Sequence, residues 1–193
     1  MDGPPPLALS YACRVSALEK ERQWYLSADT LSWQSEGYQD AVPLAEIQEI
    51  RLKNTPTRFE PNLYWCRIRT RGGKVWEWKS HHFAGFAQFE NRSAAYRVFV
   101  VNLIMRVVTQ NPQCLLIGGT SWLSWIFHAL FLTGSLIALM VVMFFMYTAI
   151  GWLVIVKLIV IVFLLPRAYR WLMRNKPSRF SAREIPHGLL PPV

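Results

Sequence analysis

The sequence predicts an α+β membrane protein, a small β-barrel or sandwich closed by an amphipathic helix and followed by two transmembrane helices. Two observations carry that reading. Residues 1–119 mix charges, glycines and prolines as a globular domain does, whereas Thr120 to Leu165 holds one Lys, one His and no carboxylate. Within the first part, apolar and polar residues alternate over several short runs and then switch to a period near four. The 193 residues leave room for one modest domain and a membrane segment.

The strands follow in order. Leu7 to Arg14 gives a first strand, and QWYLSADTLSWQ gives two runs around Ser27-Ala28-Asp29. VPLAEIQEIRLKN leads into another strand, ending at the loop NTPTRFEPN. LYWCRIRT and KVWEWKS then flank Arg71-Gly72-Gly73 as a hairpin. Alternation puts Tyr64, Cys66 and Ile68 on one face, Trp65, Arg67 and Arg69 on the other, and Trp76 with Trp78 toward the core.

In ENRSAAYRVFVVNLIMRVVTQ, Tyr96, Phe99, Val100, Leu103 and Val107 fall at helical spacing, and Asn111-Pro112 breaks the helix. Domain boundaries follow: a flexible N-terminus over 1–6, a soluble domain over 7–110, a linker over 111–120, a helical hairpin over 121–172 and a basic, Pro-rich tail over 173–193. The segment after Thr120 is about twice as long as one helical crossing needs. Ser121 to Phe145 and Trp152 to about Leu172 therefore read as two spans joined at MYTAIG.

Charge sets orientation and excludes one class of partner. The formal net charge is +9, and about half of it lies in the tail, in Arg167, Arg170, Arg174, Lys176, Arg179 and Arg183 against Glu184. Basic residues beside a membrane mark the cytoplasmic side. Both termini are thus expected in the cytoplasm, at an inner plasma membrane, and nucleic acid is not an expected partner. MDGPPPLALS does not read as a secretory signal.

Chemistry is not signalled. No phosphate-binding loop, nucleophile elbow, metalloprotease or dinucleotide motif occurs. His81-His82 with Cys66 and Cys13 lacks metal-ligand spacing, because adjacent histidines do not easily face one ion. The expectation is a protein that is not an enzyme, with no metal and no cofactor.

Several strands with a PLAEIQEIRL segment, a Gly-Gly hairpin and a closing amphipathic helix make residues 7 to 110 resemble a pleckstrin-homology-like domain. The resemblance is to the bacterial kind, carried by small membrane proteins of unassigned function. It implies a membrane-tethered domain. Inositol-lipid recognition is not carried over, because the first turn, Ser27-Ala28-Asp29-Thr30, has an acid and no Lys or Arg.

Four groups of residues are candidates for interaction. Lys157 breaks an apolar run about 9 Å into the second helix. It either snorkels to the headgroups or pairs with a carboxylate or carbonyl of a partner membrane protein. Gly134 and Ala138 form a small-xxx-small pair that permits close helix approach. Arg67, Arg69 and Arg71, with Lys74 and Lys79, form a basic hairpin surface for anionic lipid or an acidic partner. Ile185, Pro186, Leu189 and Leu190 read either as a docking peptide or as disorder. Together they suggest a non-catalytic assembly subunit of an inner-membrane complex, or alternatively a sensor of anionic lipid at the cytoplasmic leaflet.

Overall fold

Alternating residues build most of the globular part. In the computed structural model, β1 (Leu9–Cys13), β2 (Arg22–Leu26), β3 (Thr30–Ser35) and β4 (Tyr38–Pro43) form an antiparallel sheet in sequence order. The structure describes residues 9–55, 63–85, 88–146 and 153–192, apart from the side chains of 143–146, 153–161, 164 and 174. A 3-10 turn at Leu44–Glu46 leads into β5 (Ile47–Asn54), which pairs with β6 (Tyr64–Thr70), which in turn pairs with β7 (Val75–Lys79). The hairpin β8 (His81–Gly85) and β9 (Gln88–Asn91) precedes α1 (Ser93–Gln110). Then come β10 (Leu115–Gly118), α2 (Trp122–Met146), α3 (Leu153–Arg174) and β11 (Ser178–Arg179).

One core serves both larger sheets. The inward rows of β5, β6 and β7 are Ile50 and Leu52, Tyr64, Cys66 and Ile68, and Trp76 and Trp78, all buried. They meet Trp24, Leu26 and Leu31 from the first sheet and Tyr96, Phe99, Val100, Leu103, Ile104 and Val107 from α1. The Trp24 ring lies 4.7 Å from Trp78 and 5.8 Å from Trp76, and Phe99 meets Trp78 edge-on at 5.9 Å. Each such ring removes ~150–250 Å² from water, so this cluster dominates the stability of the domain.

The ends of α1 are set by two asparagines. Asn91 Oδ1 accepts a hydrogen bond from the Ser93 amide (2.9 Å), satisfying a donor that the helix leaves open. At the other end the Asn111 side chain donates to the Ile47 carbonyl (2.8 Å), and Pro112 follows. Arg106 and Gln110 both reach the first hairpin turn. Arg106 donates to the Ser27 carbonyl (2.6 Å), and Gln110 donates to the Ala28 carbonyl (2.9 Å) and to Asp29 (2.7 Å). The first hairpin turn is therefore held against the end of α1.

The C-terminal tail belongs to the same folded unit. The chain divides into Met1–Gly118 with Ser178–Val193 as one unit and Gly119–Pro177 as the other. β10, in the stretch expected to be a linker, runs parallel to β5, and β11 adds antiparallel to β10, giving the order β11-β10-β5-β6-β7. Phe180 then donates its amide to the Leu116 carbonyl (3.1 Å). Leu190 enters the core, while Phe180, Ala182, Ile185 and Leu189 pack against it. Leu189 lies so close to Gly118 that a Cβ there would sit 2.5 Å from its Cδ1. Arg97 hydrogen-bonds the Pro191 carbonyl.

The second unit holds the start of α2 beside the Arg-bearing end of α3. Trp125 Nε1 donates to the Leu172 carbonyl (2.9 Å), and His128 lies 5.3 Å from the Trp171 ring. The Asn175 carbonyl accepts from both the amide (3.1 Å) and the hydroxyl (3.0 Å) of Thr120. Gly119, at φ +86°, joins them, and a Cβ there would meet the Lys176 carbonyl oxygen at 2.6 Å.

Two parts of the expected fold class need correction. In place of one closed barrel there are separate four-, five- and two-stranded sheets. The two-helix transmembrane hairpin is also not what the structure contains. Among the described residues one helical stretch, Trp122–Val142, is long and apolar enough to cross a membrane. α3 carries Pro166 within it and Lys157, Arg167, Arg170 and Arg174 along it. Its uncharged stretch from Leu158 to Pro166 rises only ~14 Å, about half of a ~30 Å hydrocarbon core. The expected turn lies, from residue 147, outside the described residues, as does the N-terminus over 1–6.

Candidate functional site

Register determines which side chains share the outer face of the five-stranded sheet. Lys53 pairs with Trp65, and Trp65 with Lys79; Arg51 pairs with Arg67, and Arg67 with Glu77; Glu49 pairs with Arg69, and Arg69 with Val75. Ile117 continues the second row between Arg51 and Arg179. These positions alternate with the buried ones, so they point away from the core. The face carries Arg51, Lys53, Arg67, Arg69, Lys79 and Arg179 against Glu49 and Glu77, an excess of positive charge on one surface.

Part of this charge is neutralised internally. Glu49 pairs with Arg51 (2.9 Å) and with Arg69 (3.1 Å). Around Trp65 the balance differs. The Lys53 and Lys79 ammoniums each lie 4.4 Å from its ring centroid, one from each neighbouring strand. Such contacts contribute ~0.5–1 kcal/mol each. Burial holds the Lys53 ammonium below its usual pKa; Glu77 opposes that shift, while Arg67, Lys79 and Arg51 add to it.

The predicted basic hairpin surface is therefore divided. Arg67 and Arg69 are exposed on the sheet face, whereas Arg71 sits in the turn, its amide donating to the Glu46 carbonyl (2.8 Å). Lys74 reaches Asp40 at 2.8 Å. Lys79 belongs to the Trp65 row and also donates to the Val15 carbonyl (3.2 Å). Lys53 and Arg179 escaped sequence reasoning, because their neighbourhood requires the register of strands far apart in the chain.

The other candidates are not brought together with this face. Gly134 and Ala138 are both exposed on α2, and a Cβ at Gly134 would find nothing within 4 Å. Lys157 lies in α3, and its side chain is outside the description. Ile185, Leu189 and Leu190 pack on the chain's own domain, with Pro186 exposed between them.

Among the described residues no group of three or more His, Cys, Asp or Glu converges on one point. The His81-His82 pair lies in β8, where His81 is buried and His82 Nδ1 accepts from the Arg14 amide (3.2 Å). Cys13, Cys66 and Cys114 are free and buried. Burial raises all three, Cys114 to about 11, so they remain thiols at neutral pH.

Comparison of this chain with protein families, curated proteins and solved structures finds no match. Function is therefore argued from two surfaces. One is the apolar length of α2, none of whose Trp122–Val142 stretch is buried. The other is the basic sheet face. At one end of the helices, Trp122 stacks on Trp125 (5.3 Å), and Trp171 stands in the α3 sequence among Arg167, Arg170 and Arg174. Aromatic and basic side chains at one end of apolar helices are the pattern of a membrane interface.

Proposed function

We propose that this protein is a non-catalytic, membrane-anchored interaction subunit that holds its basic domain at the cytoplasmic face of an inner membrane. The observation that carries the reading is α2, with Leu123, Phe127, Leu130 and Phe131 each about two-thirds exposed or more. An apolar patch of that size requires lipid or a partner to cover it. The arginines and tryptophans at one end of α2 and α3 support a cytoplasmic position for that end. The β10–β11 pairing sets Gly118 beside Ser178 within the folded domain. The resemblance of residues 7–110 to pleckstrin-homology-like domains remains part of this proposal and transfers no ligand.

The test is gentle extraction of the full chain from membranes, followed by purification through an N-terminal tag. The expected result is retention in the membrane pellet after alkaline washing and recovery of a stoichiometric protein partner in mild detergent. Replacing Leu130 and Phe131 with Arg should release the chain, since a charge in the hydrocarbon costs ~2.5–3.5 kcal/mol per residue on insertion scales. Recovery of the chain alone, with direct retention on anionic vesicles, would favour a lipid sensor.

A further inference from the structure

We infer that the outer sheet face around Trp65 is a docking surface for an acidic, extended segment of a protein partner. The inference rests on the interaction-subunit reading and names the chemistry of its partner. Lys53, Arg67, Lys79 and Arg179 come from four strands, and register brings them onto one face with Trp65. Glu49 is engaged by Arg51 and Arg69, which leaves Glu77 as the acid opposite the remaining cations among the described residues of that face. A fold that concentrates like charges on a half-exposed surface bears their repulsion until an anion arrives.

The layout favours a chain of carboxylates. Neighbouring strands are ~4.8 Å apart, so Lys53 and Lys79, on either side of β6, arise ~10 Å apart, and Arg67 lies ~7 Å along the strand from Trp65. Alternate side chains of an extended peptide repeat at the same ~7 Å. Successive acids can therefore meet successive cations, whereas a single phosphate headgroup engages one or two of them. Trp65 argues in the same direction. It is half-buried with its Nε1 covered, while Arg67, Arg69 and Arg179 are exposed and Val75 is the one exposed apolar member among the described residues of the face. A surface that inserts into lipid presents protruding apolar side chains instead.

The experiment uses the full chain in nanodiscs of zwitterionic lipid, with a fluorescent poly-L-glutamate of about twenty residues as probe. Binding should weaken steeply with salt. The combined Lys53→Gln, Arg67→Gln and Lys79→Gln variant should bind at least about tenfold more weakly. Arg67→Glu alone, at an exposed position where folding is not at stake, should also weaken it, while Arg22→Gln on the other sheet should not. Equal binding by wild type and Arg67→Glu would overturn the inference. So would loss of wild-type binding when the nanodisc is changed to anionic lipid, because the membrane would then occupy the face. A partner that co-purifies equally with wild type and Arg67→Glu leaves the interaction reading standing and removes this face from it.

Discussion

Removing the tail Ser178–Val193 collapses the globular domain rather than freeing a dispensable segment. Truncation after Pro177 strips β11 from the edge of β10 and takes Leu190 out of the core. The single change Leu190→Ala should already cost ~2–5 kcal/mol, the range for emptying a buried leucine site. That is a large fraction of the ~5–15 kcal/mol that a domain possesses. The truncated chain is expected to be protease-sensitive, with no cooperative thermal transition for the domain. Gly118→Val should act in the same direction through the 2.5 Å approach of Leu189. A truncated chain that melts like the full one would show that the tail contributes nothing to folding.

The second large effect separates the two faces of one hairpin. Trp78→Ala should destabilise the domain by ~3–5 kcal/mol, because it opens a cavity between Trp24 and Phe99. Trp65→Ala, one strand away on the opposite face, should cost about 1–2 kcal/mol, mainly two cation–π contacts. Chemical denaturation of the two variants in detergent measures both. Equal losses would mean that the register of β6 on β7 is not as described.

Much of this architecture was legible, and the illegible parts share a physical cause. Period two exposed β2, β3, β6 and β7, put Cys66 and Ile68 on one face and correctly placed Trp76 and Trp78 inward, because burial on one face imposes alternation. Period 3.6 exposed α1 for the same reason. β10 and β11 carried no such signal. Four residues and two residues are too few to show a period, and each is a strand only because β5 and β10 lend it partners. Leu189 and Leu190 stood out as aliphatics among Pro and Gly, yet the tail's target was the chain's own domain, far away in sequence at Gly118 and Arg97. α3 misled because its apolar run hides how closely Lys157 and Arg167 bracket it. Of the basic face, Arg67, Arg69 and Lys79 were visible within one hairpin, but Lys53 and Arg179 join them only through pairing.

The account stands on a domain split in sequence by the segment Gly119–Pro177 and closed by its own tail. Ile117 and Arg179 are direct antiparallel partners, a relation that places Cα atoms ~4.5–5.5 Å apart, within reach of a disulfide. In a full chain carrying Ile117→Cys and Arg179→Cys together, mild oxidation of intact membranes should close a disulfide between the two new thiols in nearly every molecule, read by mass spectrometry after digestion. The three natural cysteines are buried and should stay reduced. Absence of the bridge, with both new thiols open to labelling, would contradict the split domain.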